Sequence, residues 1–314
     1  MRHRQATSTA PDAEQRYLAA QQLLLERCGV DAESHFVDTH AANGRTHVLT
    51  AGSGPPVLMV IGSDAPAAMW APLMAALDGH TLHAVDLPGH GLTDVMPYDT
   101  DTFRRRTTTF VAAVVDALDL GRATVVANSM GGLWSLWTAL DRPDEVGRLV
   151  LVGCPATVLG TSAPLPMRLA TVPVFGALMM RVLPTSPEQA ERDLAMTNED
   201  ASDLPELPDL MSSMRRLPGY EHMIRAQLGS VARLRGARPE IALGADELAG
   251  VTQPVQLIWG RDDPFGSPHV GRRVDDALPD SELHLVPGGH MPWLDDTEAV
   301  AGHIMSFLGG PARD

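Results

Sequence analysis

The stretch Thr124-Val125-Val126-Ala127-Asn128-Ser129-Met130-Gly131-Gly132 sets a short β-branched run directly against an apolar helical run, Met130–Leu140, with a serine at the joint. A nucleophile placed there must sit on a sharp strand-to-helix turn, so its neighbours two before and two after must be small. Ala127 and Gly131 meet that demand; Ala127 stands where the G-x-S-x-G pattern has glycine. A serine that merely caps the helix would give a similar turn. The reading therefore depends on what surrounds it.

Outward from this joint the chain alternates. Upstream, Val57–Ile61 reads as a buried strand, Ala67–Leu77 as a helix and Thr81–Asp86 as a strand. Thr102–Leu118 reads as a helix with Phe103, Phe110, Val111, Val114 and Leu118 on one side. Downstream, Leu149–Val152 is a strand. After a long interruption come a strand at Val255–Trp259, a helix at about 268–278, a strand at Glu282–Val286 and a helix at about 297–308. Strands alternating with helices imply a mostly parallel sheet covered on both faces. Before the alternation, 13–28 reads as a helix, and Ser34–His40 and Arg45–Ala51 as a hairpin turned at Asn43-Gly44. The expected organisation is an N-terminal extension with a helix at 1–33, a core formed by 34–153 and 251–314, and a helical cap at 154–250. The cap lies late in the sheet, over the strand ends where open α/β folds bind ligands.

A serine hydroxyl needs a base, and the base needs an acid to orient it. Two turns after later strands offer them in the order serine, acid, histidine: Trp259-Gly260-Arg261-Asp262-Asp263-Pro264 and Gly288-Gly289-His290-Met291-Pro292-Trp293. If the strands are parallel, both turns lie at the same sheet edge as Ser129.

These three motifs, with Asp86-Leu87-Pro88-Gly89-His90-Gly91, resemble the α/β-hydrolase family over about 34–152 and 251–308. The resemblance implies a Ser129, Asp263, His290 triad, with the acid three residues after the glycine of W-G-x-x-D. Asp262 is the adjacent alternative. It gives the D-x-P-G-x-G turn a structural role, so His90 is expected to be packed. Relatives carry His-Gly after the third strand, where this chain has Ile61-Gly62-Ser63-Asp64. A backbone donor does not need that histidine, so the oxyanion hole is assigned to the N–H groups of Ser63 and Met130. Asp64 is an unwelcome neighbour there unless it points away or is protonated. Together with Met179 and Met180 it is a candidate wall of the substrate pocket.

Composition narrows the function. The net charge of −15 disfavours nucleic acid and anionic membrane surfaces as partners. All 24 basic residues are arginine, which removes Schiff-base and P-loop lysine chemistry. The twelve histidines show no metal-ligand spacing, and Cys28 and Cys154 read as reduced structural thiols. No metal or cofactor is called for. The sequence MRHRQATSTAPDAEQ lacks a secretory apolar region and Leu169–Leu183 is short for a membrane span, so a cytoplasmic protein is expected. The Arg104–Arg106 run is expected on a solvated face, and His35 and His47 in solvent or packing roles.

The first expectation for function is hydrolysis of a small-to-medium, largely apolar carboxylic ester through an acyl-enzyme. An alternative is carbon–carbon bond hydrolysis, since Asn-Ser-Met-Gly-Gly is similar to the elbow of the meta-cleavage-product hydrolases. Those enzymes usually have tryptophan after the histidine, where this chain has Met291. A third reading is a scaffold that binds a ligand or catalyses without hydrolysis. The sequence does not identify the substrate or the oligomeric state.

Overall fold

Strands buried on both faces must be apolar almost throughout, and five runs of this chain meet that condition around one centre. In the computed structural model, which describes residues 10–309 apart from 41, 43, 173–175 and 177–184, they form the centre of an eight-stranded sheet. The strands are β1 (Glu33–Thr39), β2 (Gly44–Gly52), β3 (Pro56–Val60), β4 (Thr81–Val85), β5 (Ala123–Asn128), β6 (Val146–Val152), β9 (Val255–Gly260) and β10 (Ser281–Val286). Their order is β1-β2-β4-β3-β5-β6-β9-β10. β1–β2 and β2–β4 are antiparallel, and every pairing from β4 through to β10 is parallel. The β1–β2 hairpin forms as expected; Asn43 of its turn lies outside the described residues, and Gly44 takes the positive φ of 125°.

Helices cover both faces. α2 (Ala71–Ala76) and α11 (Thr297–Gly309) pack on each other, as do α3 (Phe103–Ala117) and α4 (Ser129–Asp141), while α10 (Pro268–Ala277) packs on β9 and β10. The expected helix at 67–77 is two pieces, because a 3-10 turn at Ala67–Trp70 precedes α2. Trp134 and Trp137 of α4 are buried in the core, with Phe103 set edge-on to each. α1 (Ala10–Cys28) lies against α2 and against a helix of the inserted segment.

Between β6 and β9 the chain leaves the sheet. The described elements there are α5 (Leu165–Ala170), α6 (Pro187–Met196), α7 (Leu207–Met214), α8 (Tyr220–Val231) and α9 (Ala245–Leu248), with one small antiparallel pair, β7 (Ala232–Arg233) and β8 (Gly236–Ala237). That pair is the one departure from an all-helical expectation.

Two polar side chains hold elements together, and of the roles expected of it His47 takes the packed one. Arg104 is not a free solvated charge: it chelates Asp141 at 2.7 and 2.9 Å and reaches Glu247 at 2.6 Å, tying α3 to α4 and α9. His47 is fully buried, with Nδ1 2.7 Å from Asp86 and Nε2 2.8 Å from Ser34 Oγ. Asp86 also accepts the N–H groups of Ala67 and Leu92, so this first residue of the D-x-P-G-x-G turn anchors three segments. His90 is packed, as expected; burial lowers its pKa despite the Pro88 carbonyl at its Nδ1. No described helix is long and apolar enough to cross a membrane.

Candidate active site

Sheet order reverses at β3: β4 lies on one side of it and β5 on the other. The crevice outside the C-terminal ends of β3 and β5 is the place such sheets use for ligands. Ser129 stands there at the end of β5. Its φ of 52° is the strained left-handed backbone that an elbow imposes on a non-glycine residue. The small neighbours are required by contact. A Cβ on Gly131 would fall 2.2 Å from the Val60 carbonyl, and one on Gly62 would fall 2.7 Å from Asn128 Oδ1 and 2.9 Å from Ser129 Cβ.

Asp263 and His290 are brought together from the loops after β9 and β10. His290 Nδ1 is 2.9 Å from Asp263 Oδ2. Both residues are 5% exposed. The Asp263 carboxylate is held by two further donors: the Cys154 N–H on Oδ2 and the Phe265 N–H on Oδ1, each at 2.8 Å. Such bonds fix the direction of the carboxylate. Phe265 also stacks on the imidazole, with ring centres 4.1 Å apart. The other ring nitrogen, Nε2, is buried and has no hydrogen-bond partner among the described residues. Ser129 and His290 line the same cavity. Asp262 is not part of this arrangement: it is exposed, and its carbonyl accepts Asn198 Nδ2 at 2.7 Å.

The cavity has a volume of about 440 Å³. Ser63, Asp64 and Met130 line it on the sheet side, and Met167, Met211, Ile224 and Leu228 on the side of the inserted segment. Met130 lies in the first turn of α4, where backbone N–H groups have no acceptor within the helix. The Ser63 hydroxyl donates to Gln227 Oε1 at 2.8 Å, which pins that loop to α8. Met179 and Met180, expected on the pocket wall, lie outside the described residues.

Asp64 lines the cavity, but its charge is not free to oppose an anion. Arg215 donates to it from Nε at 2.9 Å and from a terminal nitrogen at 2.5 Å, while its other terminal nitrogen binds Asp193 at 2.6 Å. The Tyr220 hydroxyl donates to the same Asp64 carboxylate. Burial disfavours the Arg215 cation, but Asp64 and the groups around it outweigh that and hold its pKa above the usual value. Burial and Asp64 likewise push the Tyr220 phenol up, so it stays a donor. Arg215, Tyr220 and Gln227 belong to no readable motif, and only the fold carries them to Ser63 and Asp64. Among the described residues no cluster suited to a metal ion occurs.

Comparison with known proteins agrees with this architecture. The family model described as alpha/beta hydrolase fold matches residues 55–297. The chain is 31% identical over 279 residues to the 2-hydroxy-6-oxononadienedioate/2-hydroxy-6-oxononatrienedioate hydrolase of Cupriavidus pinatubonensis, covering 84% of this chain and 91% of that one. Among solved structures, a carboxylesterase from Bacillus subtilis superposes with a TM-score of 0.76 at 22% identity, covering 95% of this chain and 99% of the other. The meta-cleavage product hydrolase of Pseudomonas fluorescens superposes with a TM-score of 0.70 at 22% identity, over 87% and 97%. At such identities the superpositions speak for the fold alone. With its sheet order, its elbow at Ser129 and a family match across most of its length, this chain belongs to the α/β-hydrolase fold family.

Proposed function

We propose that the chain is a serine hydrolase that cleaves a carbon–carbon bond beside a ketone in a small oxo-acid. The observation that carries the serine chemistry is the buried Asp263–His290 pair, whose unpartnered Nε2 shares a cavity with Ser129 on its strained elbow. The sequence puts ester cleavage first, and the relative at 31% identity supports reversing that order. Its named substrates carry hydroxyl, oxo and carboxylate groups and no ester, so their hydrolysis has to break carbon–carbon.

In this reading Ser129 Oγ gives its proton to His290 Nε2 and adds to the ketone carbon. The N–H groups of Ser63 and Met130 receive the oxyanion, and Asp263 stabilises the imidazolium. As the carbon–carbon bond breaks, its electron pair passes into the adjoining conjugated carbonyl system and the carbon takes the proton from His290. Water then hydrolyses the acyl-serine, releasing a carboxylic acid. Arg225 supplies positive charge on the cavity wall for a substrate carboxylate.

A second reading, carboxylic ester hydrolysis by the same residues, is favoured by a specific observation. Arg215 is already filled by Asp64 and Asp193, so a carboxylate near Ser63 meets an occupied partner. Arg225 is held more loosely, 3.7 Å from Glu221. The test compares kcat/KM on a 2-hydroxy-6-oxo-dienoate, followed by loss of its visible absorbance, with that on p-nitrophenyl butyrate. Dienoate cleavage abolished by Ser129→Ala supports the first reading. Ester cleavage with an inert dienoate would replace it by the second. Activity on both that survives Ser129→Ala would remove the serine mechanism altogether.

A further inference from the structure

The polypeptide around His290 is held from one side by the inserted segment. Just after α6, the Thr197 carbonyl accepts the His290 N–H at 3.1 Å. Two residues on, Glu199 Oε1 accepts the Met291 N–H at 2.6 Å. Between them, Asn198 Nδ2 donates to the Asp262 carbonyl at 2.7 Å, beside the acid loop. The fit is close: a Cβ on Gly289 would fall 2.3 Å from the Thr197 carbonyl. Four consecutive residues of the inserted segment, 197–200, therefore contact both loops that carry the acid and the base.

Glu199 is the unusual member. It is 8% exposed, and no arginine among the described residues is bonded to it. Its neighbours are acidic: Asp295 from the histidine loop and Asp263 from the loop after β9, with Asp200 and Asp262 lining the same shallow cleft. Asp295 is itself committed to the Asp200 N–H at 3.0 Å and the Gly289 N–H at 3.3 Å. Glu199 Oε2 is buried with no hydrogen-bond partner among the described residues. A charge left so deep beside other carboxylates is costly, and a neutral acid avoids that cost.

We infer that Glu199 is a positioning residue for His290: it fastens the backbone immediately after the histidine to the inserted segment, so that seating this segment and aiming the imidazole are one event. The inference rests on the reading of His290 as the general base. Glu199 touches neither the ring nor the cavity, so it acts through the main chain. Burial, opposed in part by the Met291 N–H and reinforced by Asp295 and Asp263, holds its carboxyl up to about 9. At neutral pH the carboxyl is therefore protonated, leaving Oε1 as the acceptor for Met291 and Oε2 as a donor beside Asp295. Ionisation at alkaline pH places a third carboxylate charge beside those of Asp295 and Asp263 and pushes the loop off its support.

The experiment follows the rate of Ser129 phosphonylation by a fluorophosphonate probe against pH, which reads the aimed base without depending on the natural substrate. The native chain should lose reactivity along an alkaline limb near pH 9. Glu199→Gln keeps the acceptor and cannot ionise, so it should label within about threefold of the native rate at pH 7.5 and lack that limb. Glu199→Ala should label at least tenfold more slowly at every pH. Asp295→Asn should move the limb to lower pH, because it removes the neighbour that opposes ionisation. An unchanged limb in Glu199→Gln, or native labelling by Glu199→Ala, would overturn the inference. Should Glu199→Ala fail to fold, the Glu199→Gln profile decides alone. A native chain that does not label at Ser129 would overturn the serine reading, and this inference with it, a result distinct from any difference between variants.

Discussion

The Asn128 side-chain amide donates to the backbone carbonyl of His290 at 3.1 Å and to that of Val152 at 2.8 Å. The residue just before Ser129 thus grips the main chain at His290, 162 positions later in sequence. Gly153 completes the contact, since any Cβ there would sit 2.2 Å from the same carbonyl. The elbow and the histidine loop are one packed unit. Replacing Asn128 by Asp puts a carboxylate where the two carbonyls need a donor, leaving all three buried acceptors unpaired. Asn128→Asp should lower both kcat and thermal stability, whereas a residue that served chemistry alone would lower kcat only. Differential scanning fluorimetry beside initial rates checks this.

The acid assignment separates two adjacent carboxylates. Asp263→Asn removes the charge facing His290 Nδ1 and should lower kcat by about 10⁴-fold, as in the best-studied triad. Asp262→Asn should stay within about threefold, because the Asp262 side chain is exposed and only its carbonyl is engaged. Steady-state rates on whichever substrate the enzyme turns over decide between them.

Removing the charge at position 64 should change substrate preference rather than chemistry. Asp64→Asn leaves Arg215 with Asp193 as its one anionic partner and so frees donors for a substrate carboxylate. One charge-assisted hydrogen bond is worth about tenfold in kcat/KM. The gain is expected on carboxylate-bearing substrates, with neutral esters nearly unchanged. Equal effects on both classes would show that Arg215 does not face the bound substrate.

Glu199 also predicts a stability trend. Its folded pKa of about 9 lies above the ordinary 4.5, so between those values the folded state binds more protons than the unfolded chain. Stability from this group is fully present below about pH 4.5 and is lost as pH rises towards 9. Glu199→Gln lacks that slope. Its urea midpoint relative to the native chain should therefore climb from pH 5 to pH 8.5; a constant difference would mean that Glu199 is ionised at neutral pH.

Much of the fold was legible because its signals are local. Val57–Val60, Ala123–Asn128 and Val255–Gly260 are apolar runs of strand length, and they pair in parallel around the elbow. The Ser129, Asp263 and His290 motifs were legible because steric and hydrogen-bonding demands restrict which residues stand at those turns. The rest of the site depends on contacts distant in sequence. The partner of Asp64 is Arg215, 151 residues away, and the partner of Met291 is Glu199, 92 residues away. Nothing around Arg215 or Glu199 in sequence distinguishes them from surface residues. The partners of His47 and Arg104 were hidden for the same reason: Asp86, Asp141 and Glu247 come from other elements.

α1 joins two parts of the molecule that could otherwise move apart. Its Tyr17 hydroxyl reaches Asp86 in the core at 3.5 Å, and Arg27 reaches the Asp203 carbonyl at 3.2 Å and Glu206 at 3.9 Å on the inserted segment. With 197–200 tied to the histidine loop, that segment is fastened along one flank and from beneath. Lifting it as a rigid flap would break both attachments at once. Any motion of the inserted segment that spares both attachments has to leave α1 and residues 197–200 where they are.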